Sequence, residues 1–283
     1  MINFRNYPQI TKVVIPNTIN LTNGNFASAF SGMENLITTE LHENINNMSW
    51  AYNGCTNLTA AVCGPNVTNM AYACFNCTNL TEAVCGPKVT NMANAYRGCT
   101  NLTTAVCGPN VTNMIYAYDG CTNLTTAVCG NKVNNIGYTY NGCTNLTTAV
   151  CGLDVLSMVS AYSNCTNLTI ATCGPRVTNM AYAYYNCTNL TTAYLYSRDV
   201  TKANCAFRAT NNNTRLNIYV YTGSNTNRHL HFTNSLSIVG SSITWTDAGD
   251  YQYNTAYNIY IYPVANINAV RIANGDPDYM GNL

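Results

Sequence analysis

Apolar residues return along this chain at a fixed interval. A leucine recurs every 22 residues at Leu58, Leu80, Leu102, Leu124, Leu146, Leu168 and Leu190. Ala61 and Cys63 follow the first of them, then Val67, Met70 and Ala73, and each later unit repeats the order. The alternation around Ala61 predicts a short strand with the leucine, alanine and cysteine columns turned inward, because successive strand side chains face opposite sides. Val67 and Met70, three apart, carry the apolar lining around the coil through turns and short helical segments. The Ala73 column and the Tyr52, Tyr96 and Tyr118 column complete it. Self-similarity at this period, without insertions, predicts stacked coils of a solenoid.

The register reaches backward through Met33, Leu36, Leu41, Ile45 and Met48, and Ile10 to Pro16 has the form of a divergent first strand. Forward, it degrades after about residue 200, where Leu216–Thr222, Ser242–Thr246 and Tyr257–Tyr262 carry the period-two pattern of strands. The expected layout is an N-terminal capping coil over 1–32, a leucine-rich-repeat-like solenoid over 33–209 and a β-rich C-terminal cap over 210–283. Two corners punctuate each coil. Gly54, Gly98, Gly120 and Gly142 share one column with Asn76, Asn164 and Asn186, as a left-handed turn requires. Gly64-Pro65 and its equivalents mark the other. The Asn57 column can stack its amides from coil to coil and satisfy backbone groups at the bend.

The unit Ala-Tyr-x-Gly-Cys-x-x-Leu-x-x-Ala-x-Cys-Gly-Pro-x-Val-x-x-Met resembles the BspA-like leucine-rich repeats, and Ile10-x-x-Val13-x-Ile15-Pro16 fits that family more closely than the middle coils do. Val67-Thr-Asn-Met70 followed by Cys77 is similar to surface-protein repeats built on Val-Thr-Asn-Met. The run Asn258-Ile-Tyr-Ile-Tyr-Pro263 resembles the endings of repeat proteins of bacteriophages. The resemblance covers roughly residues 10–210 and implies a recognition scaffold.

Charge narrows the choice of partner. Lys and Arg number 12 and Asp and Glu 11, together 8% of the chain, against roughly a quarter in ordinary domains. That is too few cations for phosphate neutralisation, so no nucleic acid is expected. No run approaches the ~18–20 apolar residues of a membrane span, so no membrane insertion is expected. The start lacks a basic-then-apolar secretory pattern. Fifteen cysteines admit zinc, a disulfide within each coil, or stacked free thiols. The two columns are too far apart for a zinc knuckle and no histidine column accompanies them. The large apolar core favours free thiols, which pack as small hydrophobes. No catalytic residue, metal or cofactor is expected: of the three histidines, His42, His229 and His231, the close pair His229 and His231 has no adjacent acidic partner, Glu82, Asp119 and Asp154 stand singly, and Asn274–Asp278 lacks calcium-ligand spacing.

The outward columns are the candidate binding and interface residues. Thr104, Thr126 and Thr148 lie beside Val106, Val128 and Val150 in an uncharged ladder, while the opposite rim carries Trp50, Tyr72, Tyr116, Tyr138 and Tyr182. The rings either cover the coil stack or bind a sugar or protein. The Val strip suits another copy, so a homo-oligomer is expected. A Thr ladder also suits ice, although Glu82 and Ile170 interrupt it. The expected role is a non-enzymatic structural or recognition protein of a bacteriophage virion, in its tail, fibre or capsid surface. It would contact a host-surface glycan or protein and other virion proteins. The alternatives are a bacterial cell-surface or secreted adhesin, and a self-assembling or ice-binding subunit.

Overall fold

The computed structural model describes residues 4–221 except 5, 8, 18–22, 42, 198–199, 201, 204, 208–209 and 211–215; beyond 221 it describes the three strands 237–238, 241–242 and 257–262. His42, His229, His231 and Asn274–Asp278 lie outside the described residues.

The chain winds as a parallel β-solenoid. One short strand per coil forms the first side: β1 (Lys12–Val14), β2 (Thr38–Glu40), β3 (Ala60–Ala61), β4 (Glu82–Ala83), β5 (Thr104–Val106), β6 (Thr126–Val128), β7 (Thr148–Val150), β8 (Ile170–Cys173) and β9 (Thr192–Leu195). β10 (Leu216–Tyr221) pairs with β9, so the sheet continues past residue 209. β11 (Ser237–Ile238) and β12 (Ser241–Ser242) form a separate antiparallel pair, and β13 (Tyr257–Tyr262) lies parallel to β10. Register follows the period, with Thr104 opposite Thr126 and Val106 opposite Val128. A second line of parallel bridges runs from Asn25 through Asn47, Asn69, Asn91, Asn113, Asn135, Ser157 and Asn179 to Lys202.

Inside lie continuous columns. The leucines from Leu58 to Leu190 are fully buried, as are the rings of Tyr96, Tyr118, Tyr140, Tyr162 and Tyr184. These rings stack at 5.3–5.6 Å between centroids, from Tyr96 through to Phe207. All fifteen cysteines are free thiols. In the inner column each S–H donates to a backbone carbonyl of the preceding coil, as from Cys121 to Tyr96 at 3.1 Å and from Cys165 to Tyr140 at 3.1 Å. Cysteine therefore fills a small apolar slot and also satisfies a buried acceptor. Burial pushes the Cys55, Cys99, Cys121, Cys143, Cys165 and Cys187 thiols up, the last to about 12, because the thiolate would lose its hydration. In the second column a Cβ on Gly86 would stand 2.9 Å from the Cys63 sulfur and 2.8 Å from the Gly64 oxygen, which is why the corner takes glycine.

The short helical segments expected between strands are absent among the described residues. The run Val67, Met70, Ala73, Cys74, Cys77 has helical spacing but makes a six-residue turn instead. Alternate N–H groups leave the segment: Met70, Tyr72, Cys74 and Asn76 donate to the carbonyls of Asn91, Ala93, Ala95 and Arg97 in the next coil. Those between them, of Ala73, Phe75 and Cys77, close onto the residue three earlier. Left-handed backbone at Tyr72 (φ 57°) and Asn76 (φ 57°) then interrupts any i→i−4 series.

The strand face has a discontinuity. β3 to β6 form one hydrogen-bonded sheet, and β7, β8, β9, β10 and β13 another. At the junction the hydroxyls of Tyr118 and Tyr140 are buried without a partner, whereas those of Tyr96 and Tyr162 donate to Val84 O and Val150 O, each at 3.2 Å. The coil at the junction has Asn131 where the preceding coil has Pro109, and Gly137 and Thr139 in place of apolar residues.

Candidate functional site

The two outward sets predicted from the repeat occupy different faces. Tyr96 and Tyr162 reach across the core to strand carbonyls. The rim column lies two residues earlier in the turn, where Trp50, Tyr72, Tyr116, Tyr138 and Tyr182 are partly or fully exposed.

On the sheet, Thr104, Thr126 and Thr148 are exposed, and Val106 keeps 60% of its surface in water. Val62, Val84 and Val128 extend this strip and are also exposed, whereas Val150 is half-buried. The ladder is less regular than its spacing predicts. Thr104 pairs with Thr126 and Val106 with Val128, but Thr148 and Val150 belong to the second sheet and pair with Ile170 and Thr172.

On the rim, Trp50, Tyr72, Tyr116, Tyr138 and Tyr182 all adopt left-handed backbone, with φ between 56° and 59°. Bulky side chains are rare in this region, which costs roughly 1–2 kcal/mol for an L residue. The rings offset part of that cost by stacking. Trp50 and Tyr72 lie 3.9 Å apart at 4°, and Tyr116 and Tyr138 lie 4.6 Å apart at 13°. Trp50 and Tyr182 are the most exposed, at 40% and 43%. The column is broken at Asn94 and Ser160, which keep the same left-handed backbone.

A second rim column, three residues further along each coil, holds Phe75, Arg97, Asp119, Asn141, Ser163 and Tyr185. Sequence reasoning left it as a variable position; the signal was its i+3 spacing from the outer rings, which places both columns on one side of the turn. Phe75 lies against Trp50 and Tyr72, and Tyr185 meets Tyr182 edge-on at 5.9 Å. The Arg97 guanidinium fills the break at Asn94, 5.0 Å from the Tyr116 ring centroid and 5.8 Å from that of Phe75. It also reaches Asp119 at 2.9 Å and donates to Asn94 Oδ1 at 3.5 Å. Burial pushes the Asp119 carboxyl up, opposed by the Asn141 amide and by Arg97.

Amide columns hold this edge. Asn164 donates to Asn141 Oδ1 at 3.0 Å and Asn186 to Asn164 Oδ1 at 3.0 Å. The Asn57 column stacks as expected, with Asn79 donating to Asn57 at 3.1 Å. The backbone at the bend is satisfied by a different column, through contacts such as Ala71 N–H to Asn69 Oδ1 at 3.0 Å. Among the described residues no cluster of His, Cys, Asp and Glu is suited to a metal ion, and no helix is long and apolar enough to cross a membrane.

A crystal structure of a leucine-rich repeat protein from Bacteroides ovatus is similar at 14% identity with a TM-score of 0.42, covering 94% of this chain and 77% of that one. A leucine rich cell surface protein from Faecalibacterium prausnitzii is similar at 14% identity with a TM-score of 0.32, covering 75% and 88%. No curated protein matches the chain. A family model described as a BspA type leucine rich repeat region matches residues 2–115 and 93–214, in 6 copies. The matched residues span the coils just described, and the chain belongs to the BspA-type leucine-rich-repeat family.

Proposed function

We propose that this protein is a non-enzymatic recognition scaffold that holds the outer aromatic rim against a cell surface. One observation carries the reading: large rings sit at strained left-handed positions where the fold also accepts Ser28, Asn94 and Ser160. Backbone strain kept where an asparagine, as at Asn94, would relieve it points to selection for something other than folding. Each ring contact is weak, and repetition along the coil axis multiplies it.

The test is adhesion of the full chain to bacterial cells, compared with a variant carrying Tyr72→Ser, Tyr116→Ser, Tyr138→Ser and Tyr182→Ser. Serine already occupies this column, so the fold is retained; adhesion is expected to fall about tenfold or more, by the loss of ~1.4 kcal/mol or more of binding. Undiminished adhesion contradicts the rim as the contact.

The setting we propose is a bacteriophage particle, where the scaffold supports host attachment. Display on a bacterial surface is the competing setting. Recovery of the chain in purified particles supports the first, and recovery only from wall fractions supports the second. The exposed strip Val62, Val84, Val106 and Val128 supports contact between copies.

A further inference from the structure

We propose that the solenoid carries a hinge between its two main sheets, where β6 and β7 part on the strand side while the opposite turns stay bonded. The inference stands whatever the rim binds.

The two coils that meet here are joined around most of their circuit. Before the strands, Asn145 N–H donates to Thr122 O at 3.1 Å, and Thr144 Oγ1 donates to the same oxygen at 3.3 Å. After them, Leu156 N–H donates to Asn134 O at 2.8 Å. On the turn, Ile136, Tyr138, Tyr140 and Gly142 donate to the carbonyls of Ser157, Val159, Ala161 and Ser163 at 2.8–2.9 Å. This side is the pivot.

The strand side is undone. β6 and β7 fall in different hydrogen-bonded sheets, and the bond leading into the strands is missing as well. Thr125 N–H donates to Thr103 O at 3.2 Å and Thr169 N–H to Thr147 O at 2.9 Å, whereas Thr147, in the same column of described residues, makes no such bond to Thr125. β2 and β3 are also unpaired, but there Thr59 N–H donates to Ile37 O at 3.1 Å and the Tyr52 hydroxyl meets Thr39 Oγ1 at 2.6 Å. Ala127 of β6 is half-buried, while Ala105 and Ala149 are sealed. Across the junction the inner rings also tilt: Tyr140 and Tyr162 lie at 13°, against 1° for Tyr118 and Tyr140 and 7° for Tyr162 and Tyr184. The outer column adds no ring stack here, because Ser160 follows Tyr138.

Solenoid coils touch only their neighbours, so the stack opens where one such contact is weakest. A buried hydroxyl supplies a second bias. By the repeat, the Tyr140 hydroxyl belongs with Val128 O on β6, as Tyr162 donates to Val150 O on β7 at 3.2 Å. Instead it is buried without a partner. That state is costly, and water admitted by the parting strands relieves it. The hinge therefore has a shut form bearing an unsatisfied group and an open form in which that group is hydrated. Its use is compliance: the halves on either side tilt to follow a curved partner.

The test is alkylation of the full chain by iodoacetamide, read thiol by thiol by mass spectrometry. Cys129 Sγ lies between β6 and β7, 3.0 Å from where a Cβ on Gly152 would stand. Cys151 Sγ holds the equivalent place between β7 and β8, 3.4 Å from one on Gly174, and both residues are 5% exposed. Cys129 is expected to react about tenfold or more faster than Cys151. Tyr140→Phe keeps the ring and removes the orphaned hydroxyl, so it is expected to slow Cys129 by about fivefold or more. Tyr162→Phe strips the Val150 carbonyl of its donor on the other side of the hinge, and is expected not to slow Cys129. Cys129 reacting no faster than Cys151, no slowing in Tyr140→Phe, or equal slowing in both variants overturns the hinge.

Discussion

Two columns of stacked aromatic rings run the length of the solenoid, two residues apart in every coil, and they serve opposite ends. The inner column, Tyr96 to Tyr184, is sealed from water and stacks at 5.3–5.6 Å. The outer column, Trp50 to Tyr182, is half-exposed, stacks more tightly at 3.9 and 4.6 Å, and stands on left-handed backbone. Only the inner one is required to fill space. Its single break among these coils is Cys74, another apolar residue. Breaks in the outer column are polar, at Asn94 and Ser160. Residue type and stacking therefore do not distinguish framework from function; what can replace the ring does.

The largest test of this contrast is alkaline pH. The inner tyrosines and most of the cysteines are held neutral by burial, with Cys63 pushed up to about 11 and Cys107 to about 12. In the unfolded chain a thiol ionises near 8.5. Above that pH the unfolded state holds fewer protons than the folded state, so stability present at neutral pH is lost as pH rises toward the folded values. Each such group contributes roughly 1.4 kcal/mol per pH unit. Urea midpoints measured from pH 7 to 10.5 are expected to fall steeply, and phenolate absorbance to rise together with unfolding. Gradual titration of all tyrosines without unfolding contradicts a sealed inner column.

Truncating single rings comes next. Tyr140→Ala removes a buried ring and is expected to cost ~3–5 kcal/mol. Tyr138→Asn, two residues earlier, relieves left-handed strain while losing a stacking contact, so its cost is expected to stay below about 1 kcal/mol. Equal losses in chemical denaturation would dissolve the distinction between the columns.

A finer comparison lies within the inner column. Tyr96→Phe and Tyr162→Phe each remove a hydrogen bond to a strand carbonyl, and each is expected to cost ~0.5–1.5 kcal/mol. Tyr118→Phe and Tyr140→Phe remove hydroxyls that have no partner, and are expected to be neutral or stabilising. Equal costs for the two pairs would place a partner at the sheet junction.

The repeat made the inside of this molecule legible. Leu58, Cys55 and Tyr52 and their equivalents are buried columns because a fixed period stacks like on like, and Gly98 (φ 74°) and Asn76 (φ 57°) turn the corner where such residues tolerate left-handed backbone. Three features escaped. The spacing of Val67, Met70, Ala73 and Cys74 fits a helix or a turn equally, and hydrogen bonds to the next coil decide for the turn. Tyrosine is not a residue that announces left-handed backbone, so the strain at Tyr72 and Tyr116 was not readable. Arg97 stood at a variable position, and only the structure shows it bridging Phe75, Tyr116 and Asp119.

Core and rim alike depend on coils of 22 residues whose equivalent side chains align. Circular-dichroism melting of two deletion variants tests this most directly: one lacks residues 99–120, a full coil, and the other lacks residues 99–109, half of one. The full-coil deletion is expected to keep the parent spectrum and a cooperative melt, because every column closes up in register, while the half-coil deletion loses both. Two deletions that fold equally well, or fail equally, would contradict the stacked columns on which both the framework and the rim depend.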